Sequence, residues 1–508
     1  MIDLRPHQTR AIDTIREALR AGFRAPTLVA STGFGKTRVS AFIASSSAEK
    51  SKRVLFFAPR RNLVLQTWKA FRALGVDAGM IMAGVEAKLD LPIQIASIDT
   101  VMSRLGRSSA YGTVACHNSE IIIVDEAHMY ASQKRAKLIN DLLGGVYGDG
   151  KRIIHLTATP CTTNGGGLGN ISDKLLIPAT MHELIDGGYL LRPRYFSADA
   201  PDLSSVRMRD NEYSTSDLGK VYDSKIMGNV VESYIRIAGD RPGVVFCATR
   251  ANAADVCDKF NAAGIVARYA DAKTPDDERK EIFNGIESGH IQIIVNCLII
   301  GIGTDIPRLN VVSFAMATKS VSRWVQGIGR AARPYPGQQD FIVIDHGGMI
   351  YDLGCAEDIT DWSLDGTTKV QDRVIARKKA TKERKDIKCP SCKEVFKSSP
   401  VCPHCGTAMK SKQRGEAIEY HDVELVEIVK GKKRQEFDSE AKERFYRGLL
   451  GYAARKKYRD GWAYHTYKEK FGVAPAWKKI AEDPGEDVVR YVKYLAIRKA
   501  YAKKSNAP

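Results

Sequence analysis

The stretch Ala30-Ser31-Thr32-Gly33-Phe34-Gly35-Lys36-Thr37 constrains this chain more than any other. It follows a short apolar run, Thr27-Leu28-Val29-Ala30, and precedes a segment from Arg38 to Ser47 that reads as helix. Strand, glycine-containing loop and helix in that order are the context a phosphate-binding loop needs. Gly33 and Gly35 let the backbone around Thr32 and Phe34 curl, so that successive N–H groups point into one concavity. The helix N-terminus adds its partial positive charge there. Lys36 then reaches the β- and γ-phosphates of a nucleotide, and the Thr37 hydroxyl binds Mg²⁺. Ala30 stands where the commonest form of this motif has glycine.

Short apolar runs alternate with helical segments on either side of this loop: Val54 to Ala58, Ile93 to Ile98, Ile121 to Val124 and Ile153 to Leu156. The alternation predicts a parallel sheet with helices on both faces, and in such sheets ligands sit at the carboxyl ends of the strands. Pro59-Arg60-Arg61, Ser97-Ile98-Asp99-Thr100, Asp125-Glu126-Ala127-His128 and Thr157-Ala158-Thr159-Pro160 all fall at such ends. Asp125, at a buried strand end, can hold Mg²⁺ through water. Glu126 beside it can orient and deprotonate an attacking water. Gln8, just before the helical pattern Arg10 to Ala21, offers donors and an acceptor suited to the edge of adenine, with Arg5 beside it. After Gly187 to Pro193 the alternation restarts at Val244 to Cys247, Ile291 to Asn296, Val311 to Ala315 and Phe341 to Ile344, without a second phosphate loop. There Gln326-Gly327-Ile328-Gly329-Arg330-Ala331-Ala332-Arg333 puts two arginines three apart on one helical face. Their planar forks suit the charge of a γ-phosphoryl group.

Together these residues resemble a superfamily 2 helicase of the DEAH-box type. The resemblance implies two RecA-like lobes with ATP and Mg²⁺ between them. It makes Arg5 and Gln8 the adenine readers, with Lys36, Thr37, Asp125 and Glu126 as the ATPase centre. Arg330 and Arg333 become arginine fingers, and Gly303 and Asp305 belong to the next-to-last family motif. His128, Thr157, Thr159 and Gln326 then couple nucleotide state to nucleic-acid contacts made by Arg60 and Thr100. The run Thr-Ala-Thr-Pro, Gly167-Leu168-Gly169 and Glu183 to Leu190 is similar to the RadD-like helicases of bacteria and their phages.

At 508 residues the chain suggests about three domains at ~150 residues each. The expected division is a first RecA-like lobe at 1–190 and a second at 191–365. A basic linker or solvated helix at 366–388 leads to a zinc ribbon at 389–406 and a basic, aromatic, mainly helical domain at 407–508. Cys389, Cys392, Cys402 and Cys405 form two C-x-x-C knuckles that can place four thiolates tetrahedrally around Zn²⁺. Such a site is structural, since four thiolates close it. Residues 371–508 carry 34 Lys/Arg against 19 Asp/Glu, whereas the rest is nearly neutral, so the appendage points to a polyanionic partner. Arg455 to Gly472 interleaves cations such as Lys456 with rings such as Trp462. The rings either stack on unpaired bases or build the core of a small helical cap, and both can hold. No apolar run approaches the ~18–20 residues that cross a bilayer, and Met1 to Pro6 has no signal-peptide pattern. The expectation is a cytoplasmic protein of a bacterial or phage-infected cell, with no membrane partner. By resemblance it is an ATP-dependent DNA helicase or translocase of repair, recombination or fork remodelling, acting on single-stranded, duplex or branched DNA. A single-stranded-DNA-binding or repair protein is the expected protein partner. The alternatives are an RNA helicase and a nucleic-acid-binding accessory protein that uses ATP as a conformational switch.

Overall fold

Runs of β-branched and aromatic residues bounded by polar turns form the strands of two sheets in the computed structural model. It describes residues 2–381 apart from 106–115, 117, 146–150, 163, 198–202, 210–211, 223, 272 and 298–305. It also describes 386–388, 395–397, 426–428 and, between 439 and 495, all but 460, 472–473, 478–479, 486–487, 490 and 493–494. The first lobe contains β1 (Pro26–Val29), β2 (Val54–Ala58), β3 (Gly79–Ile81), β4 (Ile93–Ser97), β5 (Ile121–Asp125), β6 (Arg152–Thr157) and β7 (Lys174–Leu176). Their order is β3-β4-β2-β5-β6-β1-β7. Every pairing is parallel. Parallel neighbours need crossovers, and helices Lys36–Ala48, Arg61–Ala73 and Gln133–Leu143 supply them. β2 and β4 are buried at every position, as a sheet covered on both faces demands.

This order explains where the site forms. Because β6 lies between β5 and β1, the phosphate loop after β1, the acidic pair ending β5 and the threonines ending β6 emerge side by side. β2 and β4 are also neighbours, so Arg60 and Thr100 emerge together one step further along the same edge.

The second lobe repeats the plan with β8 (Arg192–Ser197), a small hairpin of β9 (Met208–Arg209) and β10 (Glu212–Tyr213), and then β11 (Gly243–Cys247). It continues with β12 (Ala267–Tyr269), β13 (Ile293–Cys297), β14 (Val311–Ala315) and β15 (Asp340–Asp345). β16 (Asp386–Lys388) and β17 (Val395–Lys397) form a separate antiparallel pair. β18 (Val426–Ile428) adds to the large sheet, whose order is β12-β13-β11-β14-β15-β8-β18. All of its pairings are parallel except that of β18 with β8.

Two expectations about the appendage need correction. β18 comes from the span assigned to the C-terminal domain, yet it extends the second lobe's sheet. The stretch read as a linker or solvated helix is the helix Val370–Thr381, whose first turns are docked on the first lobe. Val370 and Val374, one helical turn apart, are fully buried among basic neighbours. Val370 N–H donates to the Gly165 carbonyl at 3.0 Å, and Gln371 Nε2 donates to the Asn164 carbonyl at 3.0 Å. Upstream, Gly169 N–H donates to the Leu364 carbonyl at 3.0 Å, and a Cβ on Gly167 or Gly169 would collide with that oxygen. The Gly167-Leu168-Gly169 stretch is thus a seat for the strap that returns from the second lobe.

Further on, helices Ser439–Lys456 and Trp462–Phe471 join Val488, Tyr491, Val492 and Leu495 in a hydrophobic cluster separate from the lobes. Among the described residues, no helix is long and apolar enough to cross a membrane.

Candidate functional site

The phosphate loop has the shape its glycines allow. Gly33 and Gly35 adopt φ of 89° and 91°, the left-handed region open to glycine at little cost. Gly35 is the N-cap of helix Lys36–Ala48. Among the described residues, the N–H groups of Gly35, Lys36 and Thr37 have no backbone acceptor, the normal state of a helix first turn. Phe34 is fully buried and anchors the loop from below. Gln8 Nε2 donates to the Phe34 carbonyl at 3.0 Å, while Gln8 Oε1 accepts the Arg5 N–H at 3.0 Å. The adenine-reading candidates are therefore wired directly to the phosphate loop.

Opposite the loop, Lys36 Nζ donates to Glu126 Oε1 at 3.0 Å. Burial works against the Lys36 charge, but Glu126 and Asp125 outweigh it and hold the lysine above its ordinary pKa. Asp125 is pushed up to about 6, chiefly by burial, with Lys36 opposing and Glu126 adding to the rise. Burial would raise Glu126 as well; Lys36 at 3.0 Å outweighs it, so Glu126 lies below the usual carboxylate range. Glu126 also has φ 50°, a backbone state that non-glycine residues seldom adopt, at a cost of order 1–3 kcal/mol. Its Oε2 is buried without a hydrogen bond, 3.4 Å from His128 Nδ1. A carboxylate oxygen left open in this way is a ready acceptor for a water proton. The αL loop, the unpaired N–H groups, Lys36 and the Thr37–Asp125 oxygens make a donor set that fits a Mg-bound nucleoside triphosphate.

From His128, 3.4 Å from Glu126, a hydrogen-bonded path runs into the second lobe. His128 Nδ1 lies 3.0 Å from Thr157 Oγ1, which itself donates to the Thr159 carbonyl at 3.1 Å and accepts the Thr159 N–H. Since the single Thr157 hydroxyl proton is committed, His128 Nδ1 must carry the proton in that contact. Its Nε2 is then an acceptor, and Gln326 Nε2 lies 3.5 Å away with an amide hydrogen to give. Burial lowers the His128 pKa, in keeping with a neutral ring. Gln326 Nε2 also donates to Thr159 Oγ1 at 2.9 Å, and Ser322 Oγ is 2.9 Å from the same hydroxyl. Both partners lie on helix Val321–Ile328, which leads into the arginine segment. A Cβ on Gly329 would lie 2.5 Å from the Thr32 side chain, so the two lobes meet at the phosphate loop. Burial lowers both arginines, Arg333 to about 10, and Glu126 partly restores Arg330. Both remain cations at neutral pH, in a cleft where an anion would relieve the desolvation.

The sequence-derived candidates on one cleft are thus Arg5, Gln8, Thr32 to Thr37, Asp125, Glu126, His128, Thr157, Thr159, Gln326, Arg330 and Arg333. Gly303, Asp305 and the four cysteines Cys389, Cys392, Cys402 and Cys405 lie outside the described residues. Arg60 is the exposed N-cap of helix Arg61–Ala73, and Thr100 lies in the first turn of helix Ile98–Leu105. Lys456 is exposed at the end of its helix. Trp462 fits the second of the two readings, a ring in the core of a small helical cap. Its ring stacks on Tyr452, with centroids 6.1 Å apart at 25°, and meets Tyr458 at 4.6 Å. It therefore belongs to the small domain's own aromatic packing, and Tyr458, 44% exposed, is the open ring of that pile. Sequence reasoning missed His7, Ser322 and Tyr189. Ser322 carried a usable signal, one helical turn before Gln326.

Two family models match the chain. The one described as "Type III restriction enzyme, res subunit" covers residues 1–162, and "Helicase conserved C-terminal domain" covers residues 228–335. A 51.5 kDa protein of Lactococcus phage (isolate 7-9) is 25% identical over 79% of this chain and 82% of its own length. IRC3 of Saccharomyces cerevisiae, assigned as an ATP-dependent helicase, is 23% identical over 75% of this chain. The chain spans 58% of that relative's length. Among solved structures, a fragment assigned as an HsdR subunit of a type I restriction enzyme from Vibrio vulnificus YJ016 aligns with TM-score 0.54 and 18% identity. The alignment covers 69% of this chain and 65% of the other. The DUF1998 helicase MrfA bound to DNA aligns with TM-score 0.50 and 15% identity, over 84% of this chain and 65% of the other. The likeness to these structures is one of fold: two RecA-like lobes in tandem.

Proposed function

We propose that this chain, whose residues 1–162 and 228–335 match the two family models, is a superfamily 2 helicase, an ATP-hydrolysing motor, and that it moves on DNA. The observation that carries the reading is the hydrogen-bonded relay His128–Thr157–Thr159–Gln326, whose first ring lies 3.4 Å from the Glu126 carboxylate that Lys36 holds. It sets the hydrolytic carboxylate beside a ring that is hydrogen-bonded through to the opposite lobe. Lys36 and the loop N–H groups hold the phosphates, and Thr37 with Asp125 would hold Mg²⁺. The metal, when bound, neutralises charge on the β- and γ-phosphate oxygens. Glu126 accepts the proton of the attacking water at its open Oε2. Arg330 and Arg333 stabilise the charge on the transferred group from across the cleft. Arg5 and Gln8 recognise the base, and Gly303 and Asp305 act with the ribose and the nucleic-acid strand.

DNA is favoured by the basic C-terminal region and by the likeness of residues 157–193 to RadD-like proteins. In this reading Arg60, Thr100 and Lys456 contact the backbone. The four cysteines bind a structural Zn²⁺, and the setting is repair, recombination or fork remodelling in a bacterial or phage-infected cell. The test is steady-state ATPase activity with single-stranded, duplex and forked DNA and with RNA, using Lys36→Ala as the blank. Several-fold stimulation by at least one DNA form, with a dead Lys36→Ala, is the expected result. Stimulation by RNA alone would overturn the DNA assignment. A Lys36→Ala variant with normal turnover would overturn the site.

A further inference from the structure

Three consecutive residues at the junction of the lobes touch three different parts of the nucleotide site. The ring of Tyr189 lies beneath the Arg5 guanidinium, 5.3 Å from its central carbon, and packs edge-on against His7 with centroids 4.4 Å apart. Leu190 backs the phosphate loop so closely that a Cβ on Gly33 would lie 2.5 Å from Leu190 Cδ2. Leu191 N–H donates at 2.8 Å to the carbonyl of Ala332, which sits between the two candidate fingers. His7 completes the anchorage, with Nε2 3.1 Å from the Phe34 carbonyl.

Arg5 is the N-cap of helix Pro6–Arg20, where the helix dipole disfavours a cation. Its position gains from a π face beneath it, and Tyr189 supplies one. A guanidinium resting over a ring still leaves its far side open, and Arg5 is otherwise exposed. Guanidinium planes and nucleobases stack well, because each presents a flat, polarisable surface. Gln8, wired to the phosphate loop beside it, provides the hydrogen-bonding edge that Arg5 lacks.

We propose that Tyr189 is a positioning residue for ATP: its ring face holds the Arg5 guanidinium in place as the platform on which the adenine ring stacks, and through Leu190 and Leu191 it ties that platform to the phosphate loop and the arginine segment. The proposal rests on the cleft being the ATP site. It extends base recognition to the inter-lobe hinge, so that a bound purine stiffens the segment from which the second lobe departs.

Kinetics of Tyr189→Leu and Tyr189→Phe test this, with inorganic triphosphate as a competitive inhibitor that has no base. Leucine keeps the apolar bulk and loses the π face. It should raise KM for ATP about three- to thirtyfold, the range of a cation–π contact, with kcat little changed. The inhibition constant for inorganic triphosphate should stay at the wild-type value, and phenylalanine should restore KM. A wild-type KM in Tyr189→Leu would make the residue a packing element only and overturn the proposal. So would an equal loss of triphosphate affinity, which would mean a disturbed phosphate loop. Lys36→Ala, assayed in parallel, separates the two levels. If it turns over ATP normally, the site assignment itself fails; if it is dead while Tyr189→Leu is normal, the platform alone fails.

Discussion

Asp125 and Glu126 are adjacent in sequence and meet opposite electrostatic fates. Glu126 is held below its usual range by Lys36 at 3.0 Å. When Lys36 turns to a phosphate, that restraint is removed, and Glu126 becomes a stronger base as the water needs one. Asp125 bears a burial cost instead, with its pKa up from 3.8 to about 6. A carboxyl whose folded pKa is raised stabilises the fold fully below its unfolded pKa and loses that contribution as pH rises through the folded value. Above about pH 6 the ligand-free protein therefore carries an unfavourable charge that a cation would relieve. Asp125→Asn keeps an acceptor for the Glu126 N–H and removes the charge. It should abolish turnover yet raise the melting temperature at about pH 8 by a few degrees, on the order of 2–4 °C per kcal/mol. Near pH 4 the difference should vanish, because the wild-type carboxyl is then protonated in the fold. An unchanged or lower melting temperature at pH 8 would refute this balance.

At the scale of elements, the central strands were legible because continuous apolar runs are what doubly covered parallel strands require. β3, β7 and β12 were not, being three-residue strands at or near sheet edges with little apolar signal. The phosphate loop, the acidic pair and the arginine segment were readable because each chemistry needs fixed residue types at fixed spacing. Tyr189 and His7 carry no such pattern: an aromatic ring and a buried imidazole become part of the site only through tertiary contact. The docked strap was hidden because Val370 and Val374 sit among lysines and arginines. β16 and β17 pair Asp386 with Lys397 and Lys388 with Val395 across the span that holds Cys389 and Cys392. Strands of three residues hold no core, and in the proposed reading the four thiolates supply the folding energy through a metal. Metal analysis should find one zinc per chain, lost in a Cys389→Ser, Cys402→Ser double variant together with nucleic-acid affinity. A zinc-free preparation with unchanged nucleic-acid binding would remove the ribbon from the account.

For the whole molecule, the two sheets share one plan but divide the labour. In the proposed reading the first holds the nucleotide, and the second brings Gln326, Arg330 and Arg333 to it. The strap from Leu364 to Val374 returns to the first lobe, while β18 further on joins the second lobe's sheet, so the basic C-terminal region is tied to both lobes. Closure of the cleft, felt through Gln326 on one side and the strap on the other, is how hydrolysis would be passed to the nucleic acid. That account stands or falls on catalysis being completed across the cleft. The most direct measurement is ATP binding and single-turnover hydrolysis by Arg330→Ala. Binding should remain near the wild-type level, while turnover falls by about 10³-fold or more, the usual worth of an arginine finger. Turnover at the wild-type rate, or a parallel loss of binding and turnover, would show that the second lobe does not complete the site.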